Sequence, residues 1–273
     1  MMEHSFHRKV IVITGGASGI GKELVIKLAE KGAKVVIVDK NQTASAGLVR
    51  ELMALKYKVS ADSVDMTNIS HVEALFERII KTHKRIDYFI NNAGIFMGGE
   101  IRDTKLDNWY RVMRNNIDAT LNGTHYAYQQ MLKQKSGHII NVASAAGLFP
   151  VPAMSIYGST KFAIVGLTQA LRNEAKDLGI NVSVVCPGIV ATPLYNTAIY
   201  NNLDEEKAVE LFHKTQSAEK AAQHIIKGIE RNKGTIHTTL SAKMAWGVYR
   251  LAPWAYNLFA QRCHRTFRRS LRK

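Results

Sequence analysis

Apolar and polar positions along this chain follow two periods. Short runs rich in β-branched residues, such as Val10-Ile11-Val12-Ile13 and Val35-Val36-Ile37-Val38, read as buried strands. Stretches with apolar residues three and four apart, such as Leu24, Leu28 and Ala29, read as helices packed along one stripe. The pattern predicts strands near Val10–Thr14, Val35–Asp39, Val59–Val64, Ile86–Asn91, His138–Ser144, Val182–Pro187 and Thr235–Leu240. It predicts strong helices near Gly19–Lys31, Ile69–His83, Leu106–Lys133, Ser155–Asp177 and Ala218–Arg231. Strands separated by helices imply parallel pairing with right-handed crossovers. The expected fold is therefore α/β, a doubly wound and mainly parallel sheet of seven strands with helices on both faces. No linker, repeat or low-complexity run breaks the alternation, so residues 1–242 read as one domain and 243–273 as a C-terminal extension.

Two segments of this pattern carry chemistry. Between the first strand and the first helix lies Thr14-Gly15-Gly16-Ala17-Ser18-Gly19-Ile20-Gly21. Strand, glycine-rich turn and helix in that order can hold a pyrophosphate: free N–H groups and the positive end of the helix dipole face the phosphates. Gly15 and Gly21 permit the sharp turn and close helix packing, and Gly19 leaves room for the ligand. About 20 residues on, the second strand ends at Asp39, where an acid can accept from ribose hydroxyls and repel a 2′-phosphate. Ser18 offers no cation for such a phosphate, so NAD is favoured over NADP, with Lys40 as a neighbouring cation that leaves NADP possible.

The second segment is Tyr157-Gly158-Ser159-Thr160-Lys161. On a helix the phenol and the ammonium leave one face a turn apart. The fixed positive charge is expected to lower the tyrosine pKa from about 10 and fit it to exchange a proton with an alcohol or carbonyl oxygen.

Together these motifs resemble the short-chain dehydrogenase/reductase family, from about Arg8 to about Leu240. Thr14 to Gly21 matches its Thr-Gly-x-x-x-Gly-x-Gly motif, and Asn91-Asn92-Ala93-Gly94 its Asn-Asn-Ala-Gly motif. Asn116 matches the asparagine of the long central helix, and Ser144 the serine ahead of the active tyrosine. Pro187-Gly188 matches the motif after strand six, with Thr192 at the position that meets the nicotinamide carboxamide. One departure is Asn115, where the family commonly has an apolar residue. The resemblance implies a Rossmann-like fold and catalysis by Asn116, Ser144, Tyr157 and Lys161. It implies a cofactor site that also includes Ser18, Ile20, Asp65, Met66, Asn92, Ala93, Gly94 and Ile189. Its implied mechanism is hydride transfer to NAD coupled to proton transfer through Tyr157. Lys161 would hydrogen-bond the nicotinamide ribose, Ser144 would hold the substrate oxygen, and Asn116 would steady a water linking Lys161 to solvent. It also implies a homodimer or homotetramer built on the two long helices.

The residues expected to face the reacting carbon are largely apolar: Ile95, Phe96 and Met97; Leu148, Phe149, Pro150, Val151 and Met154; Leu194, Tyr195, Ile199 and Tyr200. No arginine among them could pair with a carboxylate or phosphate, so an apolar alcohol or ketone fits better than a sugar or hydroxy acid. Phe96, Phe149, Met154, Leu194 and Tyr195, with Ser144 and Tyr157, are the candidate substrate contacts. The segment from Thr192 to Thr215 is long enough to form a lid.

Charge changes the picture at the C-terminus. The chain carries +15 overall, yet its last 43 residues contain ten Lys and Arg and no acid. Beyond Pro253 the pattern is helical. Tyr256, Phe259, Ala260, Cys263, Phe267 and Leu271 fall on one face, and Arg262, Arg265, Arg268, Arg269, Arg272 and Lys273 on the other, with Trp246, Tyr249 and Trp254 just before. Such a helix can lie on a membrane surface, dock on protein, or touch nucleic acid; the last is the least favoured. No apolar stretch reaches the roughly 18 residues of a membrane span, and Met1 to Lys9 lacks an apolar signal region. The two cysteines, Cys186 and Cys263, exclude a disulfide framework. A cytoplasmic protein, peripherally membrane-associated in one reading, is expected. Ten histidines are scattered, with His4 and His7 the closest pair, so no metal site is expected. Three functions stay open: an NAD-dependent dehydrogenase for an apolar alcohol, an NADPH-dependent carbonyl or 3-oxoacyl-type reductase, and a catalytically silent dinucleotide-binding scaffold at a membrane.

Overall fold

The computed structural model describes residues 6–213 and 215–272. His4 and Lys273 lie outside the described residues, as does Lys214 within the expected lid. Seven strands form the central sheet: β1 (Val10–Thr14), β2 (Lys34–Val38), β3 (Lys58–Asp62), β4 (Tyr88–Asn91), β5 (Gly137–Val142), β6 (Ile180–Cys186) and β7 (Thr235–His237). Their order is β7-β6-β5-β4-β1-β2-β3, and every neighbouring pair is parallel. β1 lies between β2 and β4, so the chain reverses direction across the sheet there. The crevice beyond the carboxyl ends of β1 and β4 is where such sheets bind ligands.

Helices cover both faces, and β1 shows why. Successive side chains of a strand point to opposite faces. Ile11 and Ile13 pack with Leu24, Val25 and Leu28 of α1 (Gly19–Glu30) and with Ile225, Ile226 and Ile229. Val12, between them, packs on the other face with Val72, Leu75 and Phe76 of α3 (Ile69–His83) and with Ala127 and Met131. The sequence in between forms α2 (Gln42–Ala54), whose cap is Asn41: its side chain accepts from the Ala44 amide. β3 is an edge strand with little burial, and Val64 lies beyond its end, in the loop that follows.

Two expectations are corrected. The helix expected over Leu106–Lys133 is divided into α4 (Leu106–Met113) and α5 (Ala119–Gln134) by a π-helical turn at Arg114–Asp118. The last strand stops at His237, because the Thr239 side chain accepts from the Ala242 amide and starts a helix. Within the Thr192–Thr215 segment residues 205–213 are helical. The remaining helices are α6 (Ser155–Glu174), α7 (Glu205–His213), α8 (Ala218–Glu230), α9 (Leu240–Leu251) and α10 (Pro253–Leu271).

α10 folds back on the domain, and most of its expected apolar stripe faces inward. Tyr256 and Leu271 are buried, and Ala260 and Phe267 are partly covered. Tyr256 packs on Phe149 at 5.4 Å and donates its hydroxyl to the Pro150 carbonyl at 2.6 Å. Phe259 and Cys263 are exposed, since they lie at the edge of that stripe. The opposite face is not purely solvated. Buried Glu100 collects His264 at 2.6 Å, Arg102 at 2.7 Å, Arg268, and Arg272 at 3.7 Å. Burial pushes the Glu100 carboxyl up, but hydrogen bonds from Arg268, Arg102 and His264 outweigh it and hold it at about 2. Among the described residues no helix is long and apolar enough to cross a membrane.

Candidate active site

The glycine loop leaves β1 at Thr14 and is tied to the Asn-Asn-Ala-Gly turn beyond β4. The Asn92 and Ala93 amides both donate to the Thr14 hydroxyl at 3.0 Å. The Asn92 side chain donates to the carbonyls of Thr14 and Gly15 at 3.1 and 3.0 Å. Gly21 must lack a side chain, because a Cβ there would sit 2.1 Å from the Gly15 carbonyl oxygen. Gly19 has φ +52, and a Cβ on it would press on Thr192 at 3.2 Å. No side chain caps α1: Ser18 makes no capping bond and the first turn holds no acid. Its first amides are therefore left for an anion.

Asp39 follows β2. Its carboxylate accepts from the Ala17 amide at 3.0 Å and the Asn41 amide at 2.9 Å, which fixes it beside the loop. Lys40 turns to Asp65 at 3.0 Å and reaches Asn115 at 3.4 Å. Burial raises the Asp65 carboxyl, and the Thr67 amide and Lys40 outweigh it and lower it below its usual value.

The catalytic candidates converge from three elements. Ser144 follows β5, and its hydroxyl accepts from the Ala146 amide at 3.1 Å, starting a turn of 3₁₀ helix. Tyr157 and Lys161 lie one turn apart on α6, both buried. Lys161 donates to the Val142 carbonyl at 3.1 Å and lies 5.6 Å from the centre of the Tyr157 ring. The expected lowering of the tyrosine is corrected here. Burial pushes the Tyr157 phenol up to about 12, with a hydrogen bond to Ser144 acting the other way. Burial also brings Lys161 down to about 8.

Asn116 sits in the π turn, fully buried. Its side chain accepts from the Ile95 amide at 2.8 Å and donates to the Ile95 carbonyl at 3.0 Å and to Thr160 at 3.1 Å. Both its donor hydrogens are therefore committed to protein. The side chain binds the residues after Gly94 to the helix that carries Tyr157. Asn115 instead faces the cleft, which accounts for its polarity.

One cleft of about 740 Å³ gathers nearly all of these residues. Its lining includes Gly15, Ser18, Gly19, Ile20, Asp39, Asp65, Met66, Asn92, Ala93 and Gly94. Ser144, Tyr157, Lys161, Pro187, Gly188, Ile189 and Thr192 continue it. Gly21 and Asn116 lie behind the wall, where they shape it. Of the expected substrate contacts Phe96, Phe149, Met154, Leu194 and Tyr195 reach the cleft, with Ile95 and Val151; Met97, Leu148, Pro150, Ile199 and Tyr200 do not. Phe96 meets Tyr157 edge-on at 4.9 Å and Tyr195 at 5.2 Å, and Tyr195 stacks on Phe212 of α7 at 4.3 Å. Sequence reading missed Thr239, Ser241, Ala242 and Ala245, which bring α9 into the wall; no motif marks them. The open glycine positions, uncapped helix end and engaged Asp39 fit a dinucleotide. No group of three metal-binding side chains occurs among the described residues.

Comparison with known proteins agrees with this geometry. A family model described as short chain dehydrogenase matches residues 9–202. An uncharacterized oxidoreductase of Staphylococcus aureus is 36% identical over 199 residues, covering 73% of this chain and 84% of its own. A short-chain dehydrogenase/reductase from Burkholderia phymatum, solved in complex with NAD, superposes with a TM-score of 0.84. It is 27% identical, and the match covers 92% of this chain and 95% of that one. A short-chain dehydrogenase from Sphingobium yanoikuyae in complex with NADPH gives 0.78 at 25% identity, over 90% and 94%.

Proposed function

We propose that this chain, which belongs to the short-chain dehydrogenase family, is an NAD-dependent oxidoreductase that interconverts an apolar alcohol and its ketone or aldehyde. The observation that carries the reading is the meeting of Ser144, Tyr157 and Lys161 in one cleft with Phe96, Phe149, Val151, Met154 and Leu194. Polar groups there are few and concentrated at the phenol, as expected where one oxygen of a greasy molecule must be oriented.

The loop from Gly15 to Gly21 would hold the pyrophosphate, Asp39 the adenosine ribose, Lys161 the nicotinamide ribose, and Thr192 the nicotinamide end. Nicotinamide, when bound, takes or gives the hydride. The protein's share is the proton. In the reducing direction the Tyr157 phenol, protonated at neutral pH, gives its proton to the oxygen that Ser144 holds. In the oxidising direction the phenolate takes the alcohol proton, stabilised by the Ser144 hydroxyl and the Lys161 ammonium. Asn116 keeps the strand end after Gly94 in register with α6 and so acts through position.

NAD is preferred in this reading because Asp39 sits at the loop and Lys40 is already drawn to Asp65. A homo-oligomer is also part of the proposal. Leu106, Tyr110, Met113, Leu121 and Phe162 on α4, α5 and α6 are exposed, as a contact through the two long helices requires. The reading is tested by following nicotinamide absorbance with NAD or NADP and a panel of sterols and long-chain alcohols against sugars and hydroxy acids. NAD-linked turnover of the apolar set is expected. Its rate should climb as pH rises toward about 8, with the phenolate fraction, and level off as Lys161 loses its charge. Turnover confined to polar alcohols would reject the substrate class.

A further inference from the structure

The two C-terminal helices, of which α9 lines the cleft, turn an unusual surface outward. With Tyr256 and Leu271 buried in the domain, a different set of apolar side chains is left exposed. On α9 these are Leu240, Met244, Val248 and Leu251, at four- and three-residue spacing, and Leu251 is 88% exposed. Across the turn at Ala252 the series continues with Trp254, 70% exposed, and Leu258. The α10 stripe begun by those two runs on through Arg262, Arg265 and Arg269, again four and three apart and all exposed. One helical line therefore passes from tryptophan and leucine to three arginines.

We propose that this outer face of α9 and α10 docks on an anionic lipid bilayer. The inference rests on the substrate reading above for its purpose and on the surface for its chemistry. Apolar side chains followed by cations, with tryptophan at the junction, match the passage from acyl chains to headgroups. No acid occurs in residues 231–273, so two copies meeting through this face would oppose like charges, whereas a bilayer with anionic headgroups complements them. Each cation held near such a surface multiplies affinity about fivefold. The helices are also held in place before they meet a membrane, by Glu100 and by the Tyr256 bond to Pro150. Finally, α9 belongs to both surfaces: Ser241, Ala242 and Ala245 line the cleft, and Leu240, Met244 and Val248 point away from the domain. Docking would set the cleft wall at the bilayer, where apolar alcohols dissolve.

The test is co-sedimentation of the full chain with vesicles of phosphatidylcholine, alone or doped with phosphatidylglycerol. Binding to the doped vesicles should exceed binding to neutral ones by at least about tenfold and weaken with added salt. Two variants, Leu251→Ser with Trp254→Ser, and Arg262→Gln with Arg265→Gln and Arg269→Gln, should each lose about tenfold or more of that binding. Both should keep dinucleotide affinity and turnover of a water-soluble alcohol, which shows that they are folded. Absence of binding, or binding that ignores both sets, overturns the proposal. So does a variant that changes only the oligomeric state, since a second copy would then be the occupant. Failure here with alcohol turnover intact leaves the dehydrogenase reading standing; vesicle binding without dinucleotide-linked turnover would reject that reading instead.

Discussion

The two ends of the cleft are built by opposite means. At the dinucleotide end the wall is main chain: a loop of glycines held by Thr14 and Asn92, within a few residues of β1 and β4. At the substrate end the wall is side chain, brought from α6, α9 and the residues after Gly94 and Pro193, with Phe212 of α7 packed on Phe96 and Tyr195 from outside the lining. The first end tolerates almost no change in shape, because backbone cannot yield. The second can be refitted by exchanging one side chain for another. The two ends should therefore respond differently to substitution.

The largest effect belongs to the point where both ends meet. Tyr157→Phe removes the proposed proton carrier and leaves the glycine loop untouched. Turnover should fall about a thousandfold or more, while NADH affinity measured by fluorescence titration stays within about twofold. Retained turnover would remove the phenol from the mechanism. Next in size is Gly21→Ala, which tests the main-chain wall. Its new methyl would meet the Gly15 carbonyl oxygen, so the loop must shift. Stability by urea denaturation should fall by about 3 kcal/mol and dinucleotide affinity with it. A comparable methyl at Gly47 or Gly166, where nothing lies within 4 Å, should cost no stability.

That contrast also explains what the sequence made legible. The loop, Asp39 and the Tyr-x-x-x-Lys pair are local: each lies within one turn or one helix, so their spacing can be read, and the weak Tyr-x-x-x-Lys spacing takes its weight from the glycine loop upstream. The central strands were readable for the same reason, runs such as Val10–Thr14 and Lys34–Val38 being apolar enough to be buried on both faces, whereas the edge strand β3 is mostly exposed. What escaped depends on distant partners. The π turn at Arg114–Asp118 exists alongside the clamp of Asn116 on Ile95 and Thr160, and no helix periodicity announces it. The rise of the Tyr157 pKa reflects burial, which neighbouring residues in sequence do not reveal. The tail displayed two faces, but which of them meets protein is decided by Glu100, 168 residues from Arg268.

Glu100 is accordingly the residue to change in the contact that holds α10 on the domain. Glu100→Gln removes the charge that gathers His264, Arg268 and Arg272 and should cost about 2 kcal/mol of stability. Trypsin should then cleave α10 faster than in the parent. The pH dependence has a definite sign. Folding lowers this carboxyl from 4.5 to about 2, so its contribution is complete above about pH 4.5 and is lost as the pH falls toward 2. Between those limits the parent should lose its advantage over Glu100→Gln, as urea midpoints at the two ends of the window would show.

The smallest expected effect lies back at the dinucleotide end and concerns choice rather than binding. Asp39 makes two hydrogen bonds to loop amides, from Ala17 and Asn41, so it both shapes the loop and presents negative charge where a 2′-phosphate would arrive. Asp39→Ser keeps an acceptor for one of those amides and removes the charge. The loop should hold, since Thr14 and Asn92 fasten it independently. The ratio of kcat/KM for NAD over NADP should fall about tenfold, or about 1.4 kcal/mol, mostly through better use of NADP. Lys40 sharpens the result: its ammonium pairs with Asp65 at 3.0 Å, and with the Asp39 charge removed it is the neighbouring cation for an arriving phosphate. Adding Lys40→Ala to Asp39→Ser should therefore return part of the lost NAD preference. An unchanged ratio in the single variant would mean that discrimination rests on the shape of the main-chain wall and not on charge, which would extend the rigidity of that end to its chemistry as well.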